Sequence, residues 1–292
     1  MKSYFCFNRI FAVVIVLVAV ATIFFACSKN NDADPTTNEN DNKVLAAAAY
    51  EAQVSTLYDD LFDVALEGSQ VAGLASNTRL VPQETENLKL NGCYEETLNN
   101  ATPGVWPKIL TLDFGAGCTG ADGRTRAGKV ILTISNFILL PNATITITLD
   151  GYSVNGVGLK GTKEITNLAS ASGFSYKTKV TGGVISLDTL TFGYASEKTI
   201  TQTEGAGTPL NTNDDFYSGT GTATLTYPSG AAVTYSVKEP LVKELKCAWI
   251  GKGKADVTFE QVTATIDYGA GICDDSATVS IADKVKGVIL PK

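Results

Sequence analysis

The sequence predicts an all-β protein: a large antiparallel meander or sandwich-like sheet with partly duplicated halves, preceded by one N-terminal α-helix. Three observations lead there. From about residue 105 the chain is built of segments such as KILTLDF, GKVILTISNFILL, ATITITL, KTKVTG, GTATLTY and AAVTYSV, rich in Thr, Val and Ile and alternating with period two. Turn signals separate them at short intervals, which favours sequential antiparallel pairing of some 12 to 15 strands. And one phrase returns: TLDFGAGC at 111–118 and TIDYGAGIC at 265–273.

The elements follow in order. Lys2 and Arg9 precede an apolar run from Ile10 to Phe25 that is short for a membrane span and suits the h-region of an export signal. It ends in Phe24-Phe25-Ala26-Cys27, which resembles a bacterial lipobox, with Phe24 where the common pattern has Leu. Residues 1–26 are therefore expected to be a lipoprotein signal peptide and Cys27 the lipidated first residue of the mature chain. An ordinary signal peptide cut nearby is the plainer alternative. Residues 27–42 hold no large apolar side chain and read as a disordered tether. The acids there resemble the surface-export signals of Bacteroidota lipoproteins; a solvated spacer is the bland alternative.

Residues 43–68 are expected to form an amphipathic helix. Tyr50, Val54, Leu57, Leu61 and Ala65 recur at helical spacing, and Gly68 is read as its stop. Asp59, Asp63 and Glu67 stand at i, i+4, i+8 with Asp60 beside them. Like charges so spaced cost a few tenths of a kcal/mol each, roughly. A cation site or a basic partner would offset that cost, but a solvated acidic face is the simpler expectation. The β domain is placed at 88–292, with 88–200 and 201–292 as two related halves. Within it Asn155-Gly156 is a type I′ hairpin signal, and Gly182-Gly183 and Pro228-Ser229-Gly230 are read as further turns.

The repeated phrase sits in a wider partial repeat. Cys118 follows Cys93 by 25 positions and Cys273 follows Cys247 by 26. Each stretch carries a Trp, Trp106 or Trp249, though not at matching places. With Cys27 lipidated and Cys6 removed, four Cys remain in an oxidising compartment, and four allow three pairings. The repeat selects Cys93–Cys118 and Cys247–Cys273, each worth about 3.5 kcal/mol in the chain-entropy picture. A redox or metal role is the rival, against which the spacings are neither CxxC nor those of a zinc finger.

Several activities are excluded or weakened. The chain has no His, which removes Ser-His-Asp and Cys-His catalysis and His-ligated zinc. Net charge is −7; without Lys2 and Arg9 the remaining 21 bases face 30 acids, for −9. No nucleic-acid partner is expected, since no basic cluster is longer than one like Lys252-Gly-Lys254. GAGCTG at 115–120 matches a dinucleotide loop, but a strand and not a helix follows. Asp113-Phe114-Gly115 spells a kinase tripeptide without the His of its catalytic loop. Asn211–Asp215 and Asp274-Asp275 lack calcium-loop spacing. No cofactor and no metal are expected.

TLDFGAGCTGADGRTRAGKVILTIS, YSVNGVGLKGTKEITN, NDDFYSGTGTATLT, CAWIGKGKADVT and TIDYGAGICDDSATVSI together resemble a family of uncharacterised Bacteroidota cell-envelope lipoproteins, over roughly residues 88 to 290. The resemblance implies export and a lipid anchor, and it brings no activity. The expectation is a lipid-anchored, non-catalytic binding or adhesion module of the outer membrane, facing the cell surface or the periplasm. Its partners would be the membrane through the N-terminal lipid and a glycan or envelope protein, with Trp106 and Trp249 as candidate ligand surface. The alternatives are a purely structural envelope protein and, less favoured, a hydrolase using paired carboxylates such as Asp113 with another acid, for example Asp267, about 5 to 9 Å away.

Overall fold

A computed structural model describes residues 39–74, 90, 92–170, 174–187, 190–206, 214–244, 247 and 249–289. Cys27, the signal segment, the tether up to residue 38 and Asn211–Asn213 lie outside these residues. The helix α1 spans Glu39–Val71. Fourteen strands follow: β1 Glu95–Asn99, β2 Lys108–Asp113, β3 Cys118–Thr119, β4 Thr125–Ile134, β5 Thr144–Val154, β6 Val157–Asn167, β7 Ser175–Leu187, β8 Leu190–Glu204, β9 Phe216–Thr226, β10 Ala232–Glu244, β11 Lys252–Phe259, β12 Val262–Ala270, β13 Ser276–Ile281 and β14 Lys284–Ile289. All join one open antiparallel sheet in chain order, except that the two-residue β3 pairs off the path with β4. The sheet is thus a meander, and its second layer is the helix rather than another sheet.

The helix lies across the strands. At 33 residues it is about 50 Å long, and thirteen strands side by side span roughly 58 Å. Asp41 at its start pairs with Lys284 of β14 at 3.2 Å. Val44 packs with Ala264, Val279 and Ile281 of β12 and β13. Tyr50 meets Phe192 of β8, with ring centroids 5.3 Å apart. Tyr58 stacks on Tyr194 at 4.9 Å and donates its hydroxyl proton to the Lys160 carbonyl at 2.7 Å. Gly68, near the far end, rests against Leu112 of β2. The inner face of the sheet supplies the facing core, including Leu110, Val130, Leu132, Ile147, Leu159, Ile185, Phe192 and Leu225.

Three expectations need correction here. The helix begins four residues earlier than 43, inside the stretch assigned to the tether, where Asp41 suits the positive helix N-terminus and finds Lys284. It also continues through Gly68 to Val71. Gly68 is a contact residue, not a stop: a Cβ there would stand 2.5 Å from Leu112 Cδ1. Gly68→Ala is therefore expected to lower stability by about 1–2 kcal/mol in urea unfolding, although Ala gains roughly 1 kcal/mol in helix propensity. Trimming Leu112 to Ala in the same chain should remove that specific penalty, leaving only the cost of the Leu112 cavity. Finally, β8 runs unbroken across residues 200 and 201 and pairs with β9 from Gly193↔Thr226 to Glu204↔Phe216, so the proposed half-boundary falls inside a strand.

Of the turns, Asn155 (φ 50°) and Gly156 (φ 81°) join β5 to β6 as expected, and 228–230 joins β9 to β10. Gly182-Gly183 does not turn. It sits inside β7, where the register against β8 shifts between Val180 and Gly183. Similar shifts occur at 127–129 in β4, 148–153 in β5, 160–162 in β6 and 236–241 in β10. Bulges strengthen twist and bend a strand. Those of β4 to β7 fall in neighbouring strands of the sheet on which the helix packs.

Candidate functional site

The two copies of the repeated phrase form the same local corner. The Gly115 N–H donates to Asp113 Oδ1 at 2.9 Å, and the Gly269 N–H donates to Asp267 Oδ1 at 2.9 Å. Each Asp also pairs with a Lys across the ladder: Lys129 Nζ to Asp113 Oδ2 at 2.8 Å, Lys254 Nζ to Asp267 Oδ2 at 3.6 Å. The Lys129 and Gly115 hydrogen bonds hold the Asp113 carboxyl below its usual range. Each corner ends in a disulfide, Cys93–Cys118 and Cys247–Cys273, both with Cα atoms 5.7 Å apart. These bridges clamp the hairpins β1–β2 and β11–β12, towards opposite ends of the sheet. The repeat is not a simple copy, because Lys129 comes from the strand after its corner and Lys254 from the strand before.

This geometry bears on the paired carboxylates. Asp113 and Asp267 lie on β2 and β12, nine strand pairings apart along the sheet, and each is held by its own Lys and its own turn. The structure does not bring them together. At the second corner there is an open cleft of about 580 Å³, lined by Asp267, Tyr268, Ile272, Asp274 and Ile289 among others. Asp274 there accepts the Ser276 N–H at 2.9 Å in a turn of its own. Asp215, the described end of the Asn211–Asp215 loop, is buried and accepts from Gln202 Nε2 at 2.9 Å. Among the described residues no group of three or more His, Cys, Asp or Glu could hold a metal ion.

The acidic stripe of the helix is where the sequence reading missed most. Asp60 is buried and Asp59 keeps 51% of its side chain exposed, but both are paired, and their basic partner is the sheet itself. Asp60 is 2% exposed and bonds Arg126 Nε at 3.0 Å, Arg126 Nη2 at 2.6 Å and Arg124 Nη1 at 2.5 Å. Arg126, itself fully buried, also reaches Asp122 Oδ2 at 2.7 Å. Asp59 pairs with Lys198 at 2.8 Å and Lys163 at 3.6 Å. Partial desolvation opposes ionisation of Asp59, whose side chain is half exposed, but Lys198 and then Lys163 outweigh it and hold the carboxyl below its usual range. Lys163 also donates to the Tyr58 carbonyl at 2.7 Å. The legible signal was parity: in GLKGTKEIT, Lys163 occupies an inward position between Leu159 and Ile165.

Glu51 is the exception in this seam. It is buried, and its Oε1 has no hydrogen-bond partner among the described residues. Burial pushes its carboxyl up to about 7, with Lys198 drawing it down and Asp59 pushing it up. Its field also reaches Tyr194, Tyr235 and Tyr268. A raised carboxyl binds more protons folded than unfolded, so its contribution to stability declines as pH rises from about 4.5 to above 7. The full decline is about 3 kcal/mol. Glu51→Gln should flatten that pH dependence, read as urea midpoints at pH 5 and pH 8; an unchanged slope would assign it elsewhere.

Trp106 and Trp249 do not make one surface. Both are half-buried, and they precede β2 and β11, eight strand pairings apart. Trp106 packs edge-on against Phe137 at 5.1 Å, with Lys108 Nζ 5.6 Å above its ring. What does span the sheet is a register row on the face away from the helix. Ladder partners run Asn99, Ile109, Thr133, Thr146, Glu164, Lys179, Glu197 and on through Thr222, Ser236, Asp256, Thr265, Ser280 to Val285.

No protein-family model, curated protein or solved structure matches the chain. Its function is therefore read from the chain's own residues and their geometry. Among the described residues no helix is long and apolar enough to cross a membrane.

Proposed function

We propose that this protein is a lipid-anchored component of the outer membrane, held at Cys27, that works as a non-catalytic binding module for a glycan or an envelope protein. One observation carries the binding part: the helix and its ion pairs occupy one face of the sheet, and the other face presents the uninterrupted cross-sheet row. Its interior, from Thr133 to Ser280, is Thr, Ser and acidic or basic residues, with Lys177 bridging to Glu197 at 2.6 Å beside it. Hydroxyls on a rigid pleated surface offer donors and acceptors at the 4.8 Å strand spacing, roughly, without ordering cost at the moment of binding. Anchoring is supported by the signal segment, the lipobox-like Cys27 and the tether.

A glycan array probed with the chain from Ser28 tests the binding. A hit should weaken about tenfold in the Glu164→Ala/Thr222→Ala/Ser236→Ala chain, which alters only outward side chains. Equal binding by both chains would move the ligand off this face, and no binding by either would sink the glycan form of the proposal. Fatty-acid labelling lost in Cys27→Ala tests the anchor separately. A structural envelope role is the second reading, favoured by the two edge strands that, among the described residues, are paired on one side only.

A further inference from the structure

The two edges of the sheet differ in a way that the binding face does not explain. Among the described residues β1 pairs only with β2 and β14 only with β13, so each leaves one side of its backbone unladdered. β1 reads EETLN, with Glu95 and Glu96 exposed. β14 reads KVKGVI, with Lys284 and Lys286 exposed. Lys284 is held by Asp41 of the helix, which leaves Lys286 as the outward-acting cation. β14 also shows apolar surface: Val285 is 69% exposed and Ile289 50%, with Ile272 nearby at 69%. The cross-sheet row ends on this apolar residue Val285 at one edge, and at the other passes through Ile109, which is 37% exposed, to Asn99.

Charges on an edge strand protect it from pairing with another edge. Here the protection is of opposite sign at the two ends. It opposes β1 against β1 and β14 against β14, and it favours β14 against β1. We infer that β14 of one copy docks on β1 of a second copy, extending the sheet from molecule to molecule. The thirteen strands of the path give twelve antiparallel pairings, so β1 and β14 run in the same direction. A repeat that keeps every helix on one side therefore pairs them in parallel. Such a contact joins different patches of the two molecules and does not close on itself, so it builds head-to-tail chains. The ladder supplies backbone hydrogen bonds, Val285 and Ile289 supply apolar contact, and the charges select the partner edge. This inference does not depend on the lipid anchor.

The chain from Ser28, with both disulfides intact, tests it by sedimentation velocity. Assembly should grow with concentration and weaken with salt. Glu95→Lys/Glu96→Lys and, separately, Lys286→Glu should each lower apparent association about tenfold. An equimolar mixture of the two variants should regain it, because each junction then meets opposite charge. That recovery also rules out misfolding as the cause of the single losses. A wild-type chain that stays single throughout its soluble range overturns the inference. So does assembly insensitive to both reversals, or a mixture that fails to recover. Val285→Asp that abolishes vesicle binding by a chain that remains single would assign the β14 edge to a lipid surface instead, and overturns it too.

Discussion

Arg126→Met is expected to destabilise the protein by about 3–5 kcal/mol, read as a shift in urea midpoint with little change in slope. The guanidinium is fully buried and holds two carboxylates, Asp60 from the helix and Asp122 from the loop before β4. Met fills most of the volume, so the loss isolates the charge. What remains is a carboxylate at 2% exposure with only Arg124 to balance it. The cost lies in that uncompensated charge more than in the lost attraction. A chain carrying both Arg126→Met and Asp60→Leu should therefore recover a large part of the loss, and the double-mutant cycle should show coupling well above 1 kcal/mol, roughly. Additive losses would mean that the ion pair does not couple the helix to the sheet.

Gly161→Ala is expected to cost about 3–5 kcal/mol or to abolish folding, measured by the same unfolding experiment and by loss of the soluble species. Gly161 has φ 109°, which an L side chain rarely adopts, and a Cβ there would stand 2.7 Å from the Gly182 carbonyl oxygen of β7. Neither backbone is free to yield, because β6 and β7 are laddered on both sides of the bulge. Gly158, on the same strand but with nothing within 4 Å of an added Cβ, is the control: Gly158→Ala should be nearly silent.

Much of the architecture was readable in advance for physical reasons. Period-two alternation reports one buried face, and it placed the strands. Asn155-Gly156 marks a hairpin because both residues take positive φ there. The Cys pairing followed from the repeated phrase, since each corner carries its own closing Cys. The same local logic failed where a residue's role depends on what crosses it. Gly182-Gly183 and Gly68 look like breaks in isolation. Gly182 takes a positive φ inside its strand, while Gly183 and Gly68 permit close approach, of β8 and Tyr58 on β7 and of Leu112 on the helix. The acids at 59 and 60 look like a solvated stripe because their partners, Lys163, Lys198, Arg124 and Arg126, lie 64 to 139 residues away.

Sequence alone determined the class of fold and the helix before the strands, favoured sequential pairing of the strands and marked two candidate disulfide corners, because each is set by neighbours along the chain. Only the tertiary structure decided that the helix runs across the strands, that Asp59 and Asp60 pair with bases of the sheet, and that thirteen outward side chains align edge to edge. Those are matters of register and burial. They depend on which residues meet across the sheet, and bulges that shift that meeting by a residue or more cannot be counted from composition or spacing.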